Sequence, residues 1–349
     1  MKHLIIIAQK IDSNDDHRGF FIDWVKEFSQ QFEKVSVITV AEGIYDLPQN
    51  VRVYSLGKEK GASKVLQAFR FYRYLFRLAP SSDGIFAHSS PIFVVAAWPI
   101  AALLRKKIVL WYLHRSVTFK LKLAEMLCYK IVTATAGSLG LKSSKIVETG
   151  HGISVAQFKT ERTWVDHSLK ILSVGRITKI KNYETLLHAA RILKDKGLLF
   201  PIKIIGQPVI VADVEYKKSL MLLREELDIA DVIEFIGLVP YYELPRYYRE
   251  ADVVVGLTPH GGIDKALLEG MAAGCLIVTS NDVNKKYFGS YSDQLVFAHG
   301  DSSGLAQKLI ALFQKPGEDK KAISNFMVQS VSEHHNLHTL VKRIKNLYE

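Results

Sequence analysis

The sequence predicts an α/β protein made of two doubly wound domains, each with a parallel sheet between layers of helices. Short apolar, β-branched runs alternate with helical patterns along most of the chain, and this alternation is typical of parallel sheets. A polar stretch without apolar periodicity, residues 158–167, interrupts the alternation near the middle. The length of 349 residues also exceeds that of a usual single compact domain.

The elements follow in order on both sides of that stretch, which we interpret as a linker. Helical patterns over residues 19–32 and 64–78 separate strands of the first half. We expect an N-terminal domain over residues 1–160, a C-terminal domain over 168–330, and a basic C-terminal helix over 331–349 that packs back on the first domain. The predicted strands are residues 4–8, 35–40, 51–56, 84–87, 108–113, 131–135, 171–174, 202–205, 233–235, 253–257 and 276–279.

Composition and charge limit the function classes. A net charge of +11 favours anionic partners such as phosphorylated ligands, a membrane surface or nucleic acid. The two cysteines, Cys128 and Cys275, lie far apart in sequence and have no metal-ligand spacing. Two such cysteines do not predict a disulfide framework, which indicates a reducing compartment. The longest apolar run, residues 92–104, contains Pro99 and is too short for a membrane span, so it predicts a buried helix. We therefore expect a cytoplasmic protein.

A candidate diphosphate site follows the first strand of the second half. This strand ends in Gly175 and Arg176, Lys181 comes five residues later, and Asn182 is a candidate N-cap of the next helix. An arginine fork, a lysine charge and a helix N-terminus together suit a diphosphate. The alternative, that the two cations are solvated surface charges, stays open. Gly206 ends the next strand and permits close approach of a ligand.

A second candidate element is the segment 258–265 with the helix that it opens, predicted over residues 266–273. The amides at the start of this helix can bind an anion. Glu269 lies one turn further on and, when ionised, accepts hydrogen bonds, which suits ribose hydroxyls. The alternative is an exposed helix residue. The residues whose amides we expect at the anion are Lys265, Ala266 and Leu267.

These motifs, in this order and spacing, resemble the retaining glycosyltransferases of family 4, which have the GT-B fold. The likeness is strong over residues 168–315 and weak before them. It implies two Rossmann-like domains facing across a cleft and a UDP- or GDP-sugar as donor, with no cofactor. It also implies that Arg176 and Lys181 bind the donor diphosphate and Glu269 the ribose. The resemblance rests on Gly175-Arg176, Lys181-Asn182, Gly206, Gly237, residues 244–254 and Glu269–Gly274.

One position departs from the family pattern, which has two glutamates separated by seven residues. The second matches Glu269, but the first falls on Gly261, which has no side chain. In the family this glutamate lies near the donor sugar. Either Asp264 takes over part of its role, or backbone groups of the Gly261-Gly262 turn do. We take Asp264 as a candidate catalytic residue.

The N-terminal half contributes candidate residues by position. Gly19 lies in a segment, residues 15–20, that resembles the family's glycine-containing first loop, where backbone amides could contact phosphate or acceptor. His114 follows a buried strand and matches the family's histidine near sugar and acceptor, so it is the second candidate catalytic residue. A structural role is the alternative for a single histidine. His88 and His151 also follow predicted strands, and we expect them to line the cleft.

The mechanism and the acceptor can also be predicted. The sequence has no pair of aspartates with one residue between them, and the resemblance implies a metal-independent, retaining enzyme. Arg70, Arg73 and Arg77 lie among aromatic residues in one helical pattern, which favours contact with an anionic membrane at the inner face of the plasma membrane. An amphipathic core helix is the alternative. We expect a lipid-linked or saccharide acceptor and a role in cell-surface polysaccharide synthesis.

Three other functions remain alternatives. A protein of this fold could bind a nucleotide sugar without transferring it. A sugar-nucleotide epimerase of the same fold would need paired carboxylates for acid–base work, and Gly261 removes one candidate. The positive charge alone would also suit nucleic acid, but no helix-turn-helix, zinc or base-stacking motif accompanies it, so we expect no nucleic-acid partner.

Overall fold

The computed structural model describes residues 2–15, 18–164, 168–259 and 261–349. The chain forms two compact units. Unit 1 comprises Met1–Ser154, Pro240–Tyr242 and His335–Glu349, and unit 2 comprises Val155–Val239 and Glu243–His334. Compact units and independently folding domains need not coincide, so the predicted domain limits stay a proposal.

Unit 1 contains a seven-stranded parallel sheet with helices on both faces. Its strands are β1 (His3–Ile11), β2 (Lys34–Glu42), β3 (Val51–Ser55), β4 (Gly84–His88), β5 (Lys107–Trp111), β6 (Lys130–Thr133) and β7 (Ile146–Glu148). Its first helices are α1 (Phe21–Gln31), α2 (Lys64–Leu78), α3 (Pro91–Leu103) and α4 (Phe119–Leu127). The strand order is β3-β2-β1-β4-β5-β6-β7, so the order reverses between β1 and β4. In such sheets ligands bind at the carboxyl ends of the strands near this reversal.

Unit 2 contains a five-stranded parallel sheet in the order β10-β9-β8-β11-β12. Its strands are β8 (Ile171–Val174), β9 (Ile202–Ile205), β10 (Ile233–Gly237), β11 (Val253–Gly256) and β12 (Leu276–Thr279). Its helices are α5 (Val155–Phe158), α6 (Tyr183–Asp195), α7 (Val211–Glu226), α8 (Leu244–Glu250), α9 (Lys265–Ala272), α10 (Lys285–Phe288), α11 (Ser292–Leu295), α12 (Ser302–Gln314) and α13 (Gly317–His334). The order reverses between β8 and β11. The nearly continuous apolar sequences of the strands in this sheet fit strands that are covered by helices on both faces.

The last helix, α14 (Leu337–Asn346), belongs to unit 1. Asn336 caps it by accepting from the amides of His338 and Thr339. Alternate residues of β1 point to opposite faces of the sheet, and one of the two resulting cores contains Leu340 and Ile344 from α14. The predicted return of the C-terminal helix to the first domain is confirmed.

The predicted fold class, two Rossmann-like parallel-sheet domains, is also confirmed. Strand β7 has only three residues and was not predicted from the sequence. The expectation of a buried helix over residues 92–104 is wrong in part, because Trp98 and Leu103 of α3 are exposed. No helix of the described residues combines the length and the apolar character that a membrane span requires. Of the predicted linker, residues 165–167 lie outside the described residues.

Candidate functional site

Three glycines stand side by side at the carboxyl edge of the unit 2 sheet. The Gly175 amide donates to the Ile205 carbonyl at 2.9 Å, and the Gly206 amide donates to the Gly237 carbonyl at 2.8 Å. All three have positive φ, and a Cβ on Gly206 would collide with the Gly175 carbonyl. Glycine is therefore required for this close backbone packing. The absence of side chains leaves the edge open next to the strand reversal.

Lys181 and Asp264 connect this edge to α9. The Lys181 ammonium pairs with Asp264, and both side chains are mostly buried. Asp264 also accepts from the Thr258 hydroxyl at 3.1 Å and caps α9 by accepting from the Ala266 amide at 3.2 Å. Burial alone would raise the pKa of Asp264, but the attraction of Lys181 and these hydrogen bonds hold the pKa below its ordinary value. Asp264 is thus a charged, fixed carboxylate beside the candidate diphosphate site.

Arg176 differs from Lys181 in having no partner. Its side chain is exposed and makes no hydrogen bond or ion pair with the residues that the structure describes. Asn182 begins α6 with φ of 46° but its side chain makes no capping bond, which corrects the expected cap. The Tyr183 amide donates instead to the Tyr216 hydroxyl at 2.9 Å. A ligand at this turn would therefore be bound by the two cations rather than by the first amide of α6.

The first amides of α9 are occupied in this structure. The Ala266 amide donates to the Asp264 side chain, and the Leu267 amide donates to the Asp264 carbonyl at 3.1 Å. The two amides are therefore not the free donors that the sequence predicted, because the side chain and the carbonyl of the N-cap residue Asp264 accept from them. The Lys265 ammonium lies 3.1 Å from Glu269. A donor-binding role for these three residues stays a prediction.

Glu269 is a buried carboxylate, with 3% of the residue exposed, so the alternative of an exposed helix residue is wrong. Its Oε2 accepts a hydrogen bond from the Tyr248 hydroxyl at 3.0 Å. Its Oε1 lies 3.1 Å from Lys265 Nζ but makes no hydrogen bond with any described residue. A buried polar atom without a hydrogen bond is unusual. Oε2 is thus held by the Tyr248 hydroxyl, and Oε1 is paired with Lys265 but keeps lone pairs that can accept from a ligand hydroxyl.

Three residues near Glu269 and Asp264 were given no role from the sequence: Tyr248, Arg162 and Thr258. Tyr248 belongs to the run of the family resemblance but was given no role, although a tyrosine in an apolar helix pattern needs a partner for its hydroxyl. Arg162 was placed in the linker. Thr258 follows β11 after Leu257, and its hydroxyl donates to Asp264.

Unit 1 has a cavity of about 650 Å³ at the carboxyl ends of β1 and β2 and the beginning of α3. Lys10 forms ion pairs there with Asp12 at 2.8 Å and with Asp15 at 2.9 Å. The bonds to Asp12 and Asp15 raise the pKa of Lys10. Because the two aspartates neutralise the Lys10 ammonium, the cavity is not simply cationic and presents both acidic and basic side chains. Its lining comprises Gln9, Lys10, Asp15, Arg18, Val40, Ala41, Lys58, Glu59, Ser90, Ile92 and Phe93.

The structure separates the other predicted residues of unit 1. The Gly19 amide donates to the Asp15 carbonyl at 2.8 Å, so it is already occupied, and Asp16 and His17 of its loop lie outside the described residues. His114 is exposed in the loop after β5, with its ring edge-on to Tyr112 at 5.2 Å. The binding role of Gly19 and the catalytic role of His114 stay predictions.

The histidines expected to line a cleft are packed in unit 1. His88 is buried and stacks on Phe21 with ring centroids 4.0 Å apart. The His151 amide donates to His335 Nδ1 at 3.1 Å. Within the described part of the chain, no three His, Cys, Asp or Glu side chains group as metal ligands. His260, which precedes Gly261 in the sequence, lies outside the described residues.

Two doubly wound parallel-sheet units, with the candidate donor residues at the carboxyl edge of the second, define the fold class of the GT-B glycosyltransferases. Residues 156–329 match the family Glycosyl transferases group 1, and this part of the chain belongs to that family. The chain is also 32% identical over 186 residues to the amylovoran biosynthesis glycosyltransferase AmsK of Erwinia amylovora, covering 51% of this chain and 44% of AmsK.

A further relative is also named as a glycosyltransferase, and a solved structure shares the fold. The chain is 25% identical over 220 residues to the colanic acid biosynthesis glycosyltransferase WcaL of Escherichia coli K12, covering 60% of this chain and 52% of WcaL. The aligned part of the chain thus spans about half the length of these relatives. HepE of Anabaena, solved with UDP-glucose, shares the fold with a TM-score of 0.74 and 16% identity, covering 98% of each chain.

Proposed function

We propose that this protein transfers a sugar from a nucleotide-diphosphate donor to a lipid-linked or saccharide acceptor, with retention of the anomeric configuration and without a metal. The chemical requirement is a site that holds ribose and diphosphate and stabilises the negative charge that develops on the leaving diphosphate. Residues of unit 2 supply both parts of the donor site.

The observation that carries the proposal is the Glu269 carboxylate. It is buried, its Oε2 is fixed by the Tyr248 hydroxyl, and its Oε1 has an ion pair with Lys265 Nζ at 3.1 Å but no hydrogen bond among the described residues. Neighbouring ribose hydroxyls can donate to such an oxygen. The ion pair with Lys265 keeps this buried carboxylate charged, and Oε1 retains lone pairs for a ligand hydroxyl.

The second support is the pair of cations beside the glycine edge. Arg176 is exposed and has no partner in the described chain, so its guanidinium can bind a diphosphate through two parallel hydrogen bonds. Lys181 is paired with Asp264. When a diphosphate binds Lys181, Asp264 becomes available to the donor sugar next to it. In this proposal Asp264 takes over part of the role of the glutamate that Gly261 lacks.

The named relatives and one structural neighbour support a choice of donor and of biological role within this proposal. HepE was solved with UDP, with UDP-glucose, and with UDP and glucose. We therefore propose a UDP-sugar first, with a GDP-sugar as the second donor to test. AmsK and WcaL are named for amylovoran and colanic acid biosynthesis, which supports a role in the synthesis of a cell-surface polysaccharide.

The acceptor is proposed to bind in the unit 1 cavity. Its volume of about 650 Å³ is in the range of small-molecule sites, and it lies at the carboxyl edge of the sheet near the strand reversal. Because Lys10 is neutralised by two aspartates, the cavity suits the hydroxyls of a saccharide. The exposed His114 would orient the acceptor hydroxyl or the donor sugar as the hydroxyl attacks the face that the diphosphate leaves.

Donor binding tests the site directly. Calorimetric titration of UDP and GDP into the wild type, Arg176→Ala, Lys181→Ala and Glu269→Gln would measure each contribution. Lys179→Ala is a matched control, because Lys179 is an exposed lysine in the same turn. We expect each of the three site variants to weaken nucleotide binding about tenfold or more. Binding that is equal in Lys179→Ala and Lys181→Ala would contradict the site, and no nucleotide binding by the wild type would refute the function.

Activity separates the alternatives. Incubation with a panel of UDP- and GDP-sugars and acceptors, with and without EDTA, would detect transfer, and NMR would give the anomeric configuration of the product. An inverted product, or activity abolished by EDTA and restored by a metal, would contradict the proposed mechanism. Nucleotide-sugar binding without transfer would favour a binding protein, and interconversion of the free sugar nucleotide would favour an epimerase.

We also propose that unit 1 contacts an anionic membrane through the outer face of α2. Phe69 and Phe76 are 64% and 59% exposed, and Arg73 and Arg77 are exposed beside them. Exposed aromatic residues next to cations favour the surface of an anionic membrane. Arg70, which we expected on this face, instead donates to the Leu56 carbonyl at 3.0 Å and is half-buried.

Flotation with vesicles of phosphatidylglycerol and phosphatidylcholine would test this contact. The variant Arg73→Glu/Arg77→Glu changes the proposed face. The control Lys342→Glu/Arg343→Glu makes the same charge change on exposed positions of α14, a helix without large exposed apolar side chains. We expect only the first variant to lose flotation. Equal flotation of the wild type and the α2 variant would refute the membrane contact. Equal loss of flotation in both variants would mean that vesicle binding depends on the net charge of the protein and not on the α2 face, which also contradicts the proposal.

A further inference from the structure

The Glu269 carboxylate is held by a tyrosine from a different helix. Tyr248, in α8, is fully buried, and its hydroxyl donates to Glu269 Oε2 at 3.0 Å. Its ring packs edge-on against Phe158, with ring centroids 5.5 Å apart. Because the ring is enclosed, the hydroxyl has little freedom to move away from Glu269. The orientation of the carboxylate therefore depends on where α8 lies relative to α9.

Arg162 fixes that relation between the two helices. Its guanidinium donates to the carbonyls of Tyr248 at 2.6 Å and Ala251 at 2.5 Å, at the end of α8. It also donates to the carbonyl of Ala273, at the end of α9, at 2.7 Å. Helix C-termini carry partial negative charge, so a cation where two of them meet is stabilising. A fourth contact, with the Cys275 sulfur at 2.8 Å, uses another donor of the same guanidinium.

Gly274 is the position that lets Arg162 reach this point. It follows α9 with φ of 71°, and a Cβ there would lie 3.3 Å from Arg162 Nε and 2.9 Å from the Ser324 hydroxyl. The glycine thus ends the helix and leaves space for the guanidinium. Arg162 is the point at which the segment after α5 is attached to both helices that bear the carboxylate site.

We infer that Tyr248 and Arg162 are positioning residues for the donor site: Tyr248 orients the Glu269 carboxylate toward the ribose hydroxyls, and Arg162 holds α8 and α9 in the arrangement that this orientation requires. The inference rests on the proposed function, because it gives Glu269 the ribose of a nucleotide diphosphate. In this inference both residues act through Glu269, because the hydrogen bonds of Tyr248 and Arg162 go to protein atoms. Their effect is therefore limited to the ribose hydroxyls that Glu269 binds.

The test compares two ligands that differ only in those hydroxyls, UDP and 2′,3′-dideoxy-UDP, by calorimetry on the full chain. Tyr248→Phe removes one hydroxyl and keeps the ring. Tyr247→Phe is the matched control, because it removes the hydroxyl of the neighbouring residue on the same helix. We expect Tyr248→Phe to weaken UDP about tenfold and to change dideoxy-UDP less than twofold. The control should change both less than twofold.

Arg162→Lys keeps the charge but cannot reach four acceptors, so it should weaken UDP and spare dideoxy-UDP in the same way. If it fails to fold, as judged by its melting curve, Tyr248→Phe decides alone. Equal weakening of both ligands by Tyr248→Phe, or no weakening of either, would overturn the inference while the wild type still binds UDP. Equal affinity of the wild type for UDP and dideoxy-UDP would also overturn the inference. If the wild type binds no nucleotide at all, the proposed function is overturned together with the inference.

Discussion

The substitution Asp264→Asn tests the role of the Lys181–Asp264 ion pair. Asparagine can still cap α9, because its amide oxygen can accept from the Ala266 amide and Asn and Asp are equivalent N-caps; its amide nitrogen replaces the oxygen that accepts from Thr258 and can donate to that hydroxyl instead. What changes is the charge beside Lys181. Each of the two side chains is 17% exposed, so the effective dielectric lies between that of water and that of a protein interior. A unit charge about 6 Å from a diphosphate in a dielectric of about 40 contributes about 1.4 kcal/mol.

We therefore expect Asp264→Asn to bind UDP about tenfold more tightly, because Lys181 is no longer neutralised. The transfer rate should fall, because Asp264 no longer orients the donor sugar. Calorimetry gives the first quantity and the rate of UDP release in the presence of acceptor gives the second. Asp301→Asn is a control, because Asp301 caps α12 and has no ion pair with the described residues. Weaker UDP binding by Asp264→Asn, or tighter binding by the control, would refute the reasoning.

Three further predictions concern stability and reactivity. Because the pKa of Asp264 is lowered in the folded state, its charged form stabilises the fold above a pH of about 4, and this stabilisation is lost as the pH falls through the folded-state pKa. Urea unfolding from pH 7 to 3 should show this loss of stability in the wild type and a smaller loss in Asp264→Asn. Gly206→Ala should lower the free energy of unfolding by about 2 kcal/mol, because φ is 143° and the Cβ meets a carbonyl, whereas Gly197→Ala, with open space around it, should cost about half as much in the same urea titration. Burial raises the pKa of Cys128 and Cys275 to about 11, so Ellman's reagent should react with neither at pH 8 until denaturant is added, and rapid reaction of the folded protein would contradict the buried positions.

Much of the fold follows from patterns that are local in sequence. The apolar runs of β1 and β8 predict buried parallel strands, and the periodicity over residues 64–78 predicts α2 with the bounds that the structure has. Strand β7 was missed because three residues are too few to show a period. The exposure of Trp98 could not be predicted, because an apolar helix does not reveal from its own sequence which of its sides remains uncovered.

The candidate site was predictable in part. Lys181 and Glu269 could be found because each lies beside a strand end or a helix start. Their partners could not be found in this way, since the ion pair with Asp264 spans 83 positions and the bond from Tyr248 spans 21. Arg162 was hidden by its polar surroundings. A polar stretch predicts a linker. The role of Arg162 is visible only in the structure, where the carboxyl ends of α8 and α9 meet and their carbonyls accept hydrogen bonds from its guanidinium.

The discontinuity of unit 1 has a consequence for synthesis on the ribosome. The core of this unit includes Leu340 and Ile344, and the Tyr348 hydroxyl donates to the Ile85 carbonyl at 2.9 Å. Residues 155–334, about 180 residues, are translated between Ser154 and this last segment, which takes about 10–40 s in bacteria. During that time one face of the nascent first sheet lacks its final helix. Unit 2 can therefore complete its fold before unit 1, although it is synthesised later. We expect a chaperone to bind the uncovered apolar face of the first sheet, which belongs to the part of the chain that is synthesised first.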